Sequence, residues 1–178
     1  LKNKKYLEKA RRIRWFGIDR IKKQGGTWEN DIFEIGYKYQ LTDIGASILL
    51  ESIKEFKKIK NHRNKIYQIY SKKINFGKKI DFLKNKNPKA SSVMWLFTIL
   101  TPYKDLLQKH LRRYKIETNQ VHFRNDRYSI FKKHTKNKKF PNMEKLQNKY
   151  LVLPMHTKMK ISDALRISKK INYIVNRI

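Results

Sequence analysis

The chain has 178 residues, which fits one domain or part of a larger one with a buried core, and no cysteine, which excludes disulfides and thiolate metal sites. Its longest apolar run, residues 93–100, is too short to cross a bilayer, and no signal peptide with an apolar centre opens it, so a soluble cytoplasmic protein is the default reading. The formal charge of +30 would point to nucleic acid if the lysines were clustered. They are spread along the whole chain among many Asn, Ile, Tyr and Phe, a mixture that fits a coding bias toward A and T and disfavours a nucleic-acid partner.

In chain order, residues 2–14 read as a basic amphipathic helix with Tyr6, Leu7, Ala10 and Ile13 on one side, ending near Gly17. The chain opens on Leu1 directly in this pattern, as a sequence beginning inside a longer protein would. Residues 15–39 are rich in loop signals and glycine, a length of irregular chain expected of a functional segment or lid, with a short strand expected at 31–35. Thr42 and Asp43 then mark a helix start, a hydroxyl for an unpaired amide and a negative charge at the positive end of the dipole. Ile44, Ile48, Leu49, Ile53 and Phe56, continued by Ile59, Ile66 and Ile69, form a stripe expected to be buried on a helix reaching 71–74. Just before it, Tyr37 and Tyr39 flank Lys38 on an edge that could meet an anion or, as spacing alone favours, pack on the core. His62, among Lys60, Arg63 and Lys65, reads as exposed and inert.

Residues 75–92 read as a polar connector with a turn at Asn87 and Pro88, and 91–101 as a buried strand stopped by Pro102. A helix over 103–114 turns Leu106, Leu107 and Leu111 inward, and 116–123 reads as a second strand, giving an α/β layer with its sheet covered by helices. At that strand's end stands the cluster Arg124-Asn125-Asp126-Arg127-Tyr128, preceded by His122. Arginine there can fork onto a phosphate or carboxylate and asparagine can serve a hydroxyl; equally, Asn125 and Asp126 can cap their own turn. A basic loop over 132–139, a short helix over 142–149, a strand over 150–153 stopped by Pro154, and a last helix capped by Ser162 complete the reading. The five histidines show no metal spacing, and no serine, histidine and acid set forms a triad, so neither a metal site nor a catalytic residue is assigned.

The segments R-W-F-G-I-D-R at 14–20 and D-I-F-E-I-G-Y-K-Y-Q-L-T-D-I-G-A-S-I-L-L-E-S-I at 31–53 resemble the DegT/StrS family of pyridoxal-phosphate-dependent sugar aminotransferases. Trp95-Leu96-Phe97, V-H-F-R-N-D-R-Y-S-I-F at 121–131 and the segment 140–156 follow in the family's order. The resemblance covers essentially the whole chain but only the later portion of the family's sequence, so the Schiff-base lysine, the aspartate for the pyridine nitrogen and the ring-stacking residue are implied to lie upstream. It implies an α/β (α+β) fragment, the C-terminal part of a fold type I transferase: a long helix plus a small mixed sheet covered by helices. Residues 1–74 would be the tail of the large domain and 75–178 the small domain. It further implies pyridoxal phosphate in the full-length parent, a nucleotide-sugar substrate, glutamate as donor, and a homodimer. The family's loop before the long helix commonly reads G-x-N-x-R and reaches the cofactor phosphate across the dimer. Lys38 stands at that Asn, keeping a point charge, and Gln40 at that Arg, removing one. Tyr37, His122, Arg124 and Asn125 are carried over to the substrate side. The competing readings are a basic nucleic-acid-binding module and an inactive paralogue, and on the favoured reading the fragment alone is inactive.

Overall fold

The computed structural model describes residues 3–21, 32, 34–84, 92–122 and 124–178. Contacts divide the chain into two units, Leu1–Glu55 and Phe56–Ile178. The division falls inside the longest helix, whereas the sequence reading set its domain boundary at that helix's end.

In the first unit, α1 (Lys4–Arg14) is capped by Asn3, whose side chain accepts the Lys5 N–H at 3.0 Å. It ends where Gly17 takes φ +76°, a conformation natural to glycine. Gly17 and Gly36 are pressed together: a Cβ on Gly36 would stand 1.8 Å from the Gly17 nitrogen, and one on Gly17 would stand 2.1 Å from the Glu34 carbonyl oxygen. This contact explains why both segments read aromatic-glycine or glycine-aromatic: only hydrogen side chains let the two backbones cross. Trp15 and Lys38 form an antiparallel bridge there, with Phe16 N–H donating to Tyr37 C=O and Tyr39 N–H to Arg14 C=O. Arg12 forks onto Glu34 at 3.0 and 3.2 Å, tying the helix to the same crossing and holding the Glu34 carboxyl below its ordinary value. Of the strand expected at 31–35, Asp31 and Phe33 lie outside the described residues, and Ile32, Glu34 and Ile35 are not in a strand.

The helix α2 (Asp43–Lys73) starts where its cap predicts, with Thr42 Oγ1 accepting the Gly45 N–H at 3.1 Å. Its stripe is not buried along its length. Ile44, Ile48, Leu49, Ile53 and Phe56 are exposed, while Ile66 and Tyr70 are buried, so only the later turns meet the core.

In the second unit, β1 (Asp81–Phe82), β2 (Phe97–Leu100) and β3 (Tyr150–Leu153) form a sheet in that order, antiparallel at both pairings where a mixed sheet was expected. β1 falls in the stretch read as a connector. Partners Phe97 with Leu153 and Ile99 with Leu151 point to one face, buried with Ile66, Tyr70, Leu107, Leu111, Ile167 and Ile171. Those residues come from α2, from α3 (Lys104–Arg113) and from the last helix, labelled below. The opposite face carries Thr98, Leu100 and Tyr150.

The strand predicted over 116–123 does not form. Its ladder reduces to one bridge, Asn119 with Val152; on either side the Thr118 carbonyl accepts from the Gln108 side chain at 2.7 Å and the Gln120 N–H donates to Asn119 Oδ1. Phe123 lies outside the described residues. After two 3₁₀ turns at Asn125–Arg127 and Ser129–Phe131 come α4 (Lys132–Thr135) and α5 (Pro141–Leu146), then β3, then α6 (Ile161–Val175). Ser162 is not the cap of α6. Lys160 holds that position, and its N–H donates to the Asp163 carboxylate at 3.1 Å. His62 is half-buried and bonded through Nε2 to the Met159 carbonyl at 2.9 Å, not exposed as expected.

Candidate functional site

Because side chains alternate along β2 and β3, the residues that fill the core on one face leave Thr98, Leu100 and Tyr150 on the other. These three line a cleft of about 800 Å³ together with the excursion that links the bridge at Asn119 to β3. A cleft of this size, mostly apolar with a few convergent polar groups, is the usual form of a small-molecule site. The excursion contributes Phe131, Phe140 and Met143 as apolar wall, and His122, Asn125, Thr135 and Lys138 as polar groups.

The structure brings together three of the five carried-over residues. His122, Arg124 and Asn125 all line the cleft. His122 is exposed, its ring 5.7 Å from Trp95, and its carbonyl is fixed by the Tyr150 hydroxyl at 2.6 Å. Asn125 is exposed at the first 3₁₀ turn. The turn closes through backbone, Tyr128 N–H to Asn125 C=O, and a hydrogen bond from its own backbone helps to hold the Asp126 carboxyl down.

Arg124 is placed differently from the sequence expectation. It is buried, and its fork closes on Asp126, Nε to Oδ1 at 3.0 Å and Nη2 to Oδ2 at 2.7 Å, while Nη1 donates to Gln147 Oε1 at 3.1 Å. Gln147 in turn accepts at its carbonyl from Gln120, which accepts from Lys104. The bidentate bond from Arg124 is the main reason the Asp126 carboxyl lies below the usual carboxylate range. The Thr135 hydroxyl donates to the Asp126 carbonyl at 3.1 Å. The guanidinium is thus a clasp within the excursion.

Tyr37 and Lys38 belong to the first unit. Their side chains are exposed, and Tyr37 stacks on Tyr39 with ring centres 5.0 Å apart and planes 19° from parallel. Gln40 Oε1 accepts from Arg20 Nη1 at 2.8 Å, which brings a guanidinium to this edge. Arg20 also lies 5.4 Å over the Trp15 ring. This edge therefore presents an ammonium and a guanidinium beside paired phenols. Sequence reasoning missed Lys138, Phe140 and the sheet side chains of the cleft; Thr98 and Leu100 were legible only as every second residue of a strand.

The model of the DegT/DnrJ/EryC1/StrS aminotransferase family matches residues 1–172. A UDP-4-amino-4,6-dideoxy-N-acetyl-beta-L-altrosamine transaminase of Campylobacter jejuni is 25% identical over 181 residues, covering 99% of this chain and 47% of that protein. Among solved structures, the sugar aminotransferase CalS13 from Micromonospora echinospora superposes with a TM-score of 0.83 at 18% identity, covering 97% of this chain and 46% of that one. Helicobacter pylori PseC, an aminotransferase involved in pseudoaminic acid biosynthesis, gives a TM-score of 0.76 at 18% identity, covering 99% and 47%. The chain spans about half the length of these relatives. With the family match running through nearly every element described above, this chain belongs to the DegT/DnrJ/EryC1/StrS aminotransferase family.

Proposed function

We propose that the chain is the C-terminal portion of a pyridoxal-phosphate-dependent aminotransferase that transfers an amino group from glutamate to a nucleotide-linked keto-sugar, for cell-surface polysaccharide or a secondary metabolite. The intact protein works in the cytoplasm as a symmetric homodimer, with residues 1–74 closing its large domain and 75–178 forming its small one. The observation that carries the reading is the family match over residues 1–172, joined to a relative of similar sequence whose name is that of a UDP-sugar transaminase.

A related solved protein, Spr1654 from Streptococcus pneumoniae, has been captured in a pyridoxal phosphate form and a pyridoxamine phosphate form. Bound pyridoxal phosphate supplies the electron sink that lets an amino group leave one carbon and join another. The described residues fit one edge of such a group. Lys38 stands exposed on a backbone bridged to Trp15, and Arg20 is beside it through Gln40, so both cations can approach a phosphate from one side. Lys38 is therefore read as a phosphate contact, and His122 and Asn125 as polar groups of the substrate cleft.

The test is transamination by the intact protein with pyridoxal phosphate, glutamate and a UDP-linked 4-keto-sugar, followed by chromatography of the aminated product. The isolated 178-residue chain, mixed with the cofactor, is expected to show no stoichiometric cofactor absorbance. A stoichiometric band from that chain, abolished by replacing one of its lysines, would refute the placement.

A further inference from the structure

We propose that Lys138, not Arg124, is the cation that receives the phosphate of a nucleoside diphosphate group in the cleft, with the flat base held against the aromatic wall. This rests on the nucleotide-sugar reading above and adds to it the residue and the ligand part concerned. Among the described residues, the cleft wall carries one arginine, one aspartate, one lysine and two histidines. Arg124 and Asp126 cancel: their fork is bidentate, Arg124 is buried, and its remaining nitrogen is engaged by Gln147. Recruiting that guanidinium for a phosphate would leave the Asp126 carboxylate unpaired, which opposes the exchange. The uncancelled positive charge is then Lys138, whose side chain is exposed and pairs with no carboxylate among the described residues. The histidines add charge only when protonated.

The position of Lys138 is fixed even though its ammonium is free to move. Its N–H donates to the Thr135 carbonyl at 2.9 Å, and Thr135 Oγ1 donates to the Asp126 carbonyl, so the lysine is referred through one threonine to the Arg124 clasp. Lys132, Lys133, Lys136 and Lys139 belong to the same basic segment, yet none of them lines the cleft. That selectivity separates a built contact from a diffuse field. On the same cleft wall, Phe131, Phe140 and Tyr150 offer ring surface against which a planar base can pack. A group that is flat and apolar at one end and doubly charged at the next matches this wall.

The experiment measures binding of UDP and of uridine to the intact protein by calorimetry at fixed ionic strength, for wild type and for Lys138→Ala, Lys138→Glu and Lys136→Ala. Lys138→Ala is expected to weaken UDP roughly tenfold, the loss of one partly exposed charge-assisted contact, and to leave uridine unchanged. Lys138→Glu weakens UDP further, Lys136→Ala changes neither ligand, and the Lys138 effect shrinks as salt rises. Equal losses from Lys138→Ala and Lys136→Ala would overturn the proposal in favour of a diffuse field, and so would UDP binding that Lys138→Ala leaves intact. In those two cases transamination by wild type would still uphold the functional reading. Wild-type protein that neither binds UDP nor transaminates would overturn both.

Discussion

Tyr70 gives the most direct test of how the long helix is fixed to the second unit. Its side chain is fully buried, its ring lies 5.1 Å from that of Phe97, and its hydroxyl donates to the Pro154 carbonyl at 2.8 Å. Replacing it with phenylalanine keeps the ring and deletes one hydrogen bond, leaving a partly buried carbonyl without that donor, at a cost of about 1–2 kcal/mol. Replacing it with alanine removes the ring as well and opens a cavity against β2, at a cost of about 3–5 kcal/mol, a large part of the stability a domain of this size has. Tyr67 supplies the control. Its ring also packs on Phe97, at 5.1 Å, but it is only half-buried and its hydroxyl has no partner among the described residues, so Tyr67→Phe should stay within about 0.5 kcal/mol of wild type. Urea unfolding followed by circular dichroism reads all three, and the slope should stay constant while the midpoint moves. Burial also pushes the Tyr70 phenol up. A pKa raised in the folded state stabilises fully below the ordinary phenol value of about 10 and is lost as pH rises toward the folded value, so Tyr70 should ionise only as the protein unfolds in alkali. A Tyr70→Phe variant unfolding at the wild-type midpoint, or a Tyr67→Phe variant costing as much, would refute the reasoning.

Two other predictions concern the clasp and the exposed stripe. The Asp126 carboxyl, held down chiefly by the Arg124 hydrogen bonds, contributes stability that is present above the ordinary aspartate range and lost as pH falls through its lowered folded value; the Arg124 Nε–H resonance should therefore persist below that ordinary range in wild type and be absent in Asp126→Asn. Ile48 and Ile53 are 65% and 58% exposed, so Ile48→Asp with Ile53→Asp should leave the unfolding midpoint of the chain nearly unchanged while abolishing its self-association in sedimentation, and a wild-type chain that stays monomeric at high concentration would remove the stripe as an association surface.

The elements that sequence reading placed well are those whose signals are local. Thr42 starts α2 because its hydroxyl reaches an amide three residues on, and β3 ends at Pro154 because proline has no N–H to give a ladder. What failed depended on residues far away. The segment 116–123 reads as a strand, yet among its described residues only Asn119 pairs with β3, and the neighbouring Thr118 carbonyl is turned away to the Gln108 side chain from α3. β1 has only two residues, Asp81 and Phe82, and exists because Leu100 and Ile99 offer an open edge. The stripe of α2 is continuous in sequence, yet its burial begins only where Phe97 and the α6 residues stand opposite, near Ile66.

The same distinction governs the cleft. A sequence shows that Arg124 is cationic and lies in a polar cluster; it does not show whether the guanidinium is spare. Here a carboxylate two residues along the chain and a glutamine 23 residues along meet the same fork, and the residue that looked most like a ligand contact becomes part of the frame. Lys138 looked interchangeable with its lysine neighbours because composition cannot tell which member of a basic run faces a cavity. The turn of α4, the Thr135 bond to Asp126 and the alternation of β2 and β3 make that choice together. The charge of the whole chain is thus a poor guide to its site: among the described residues, Lys138 is the lysine of the cleft lining, and it pairs with no carboxylate there.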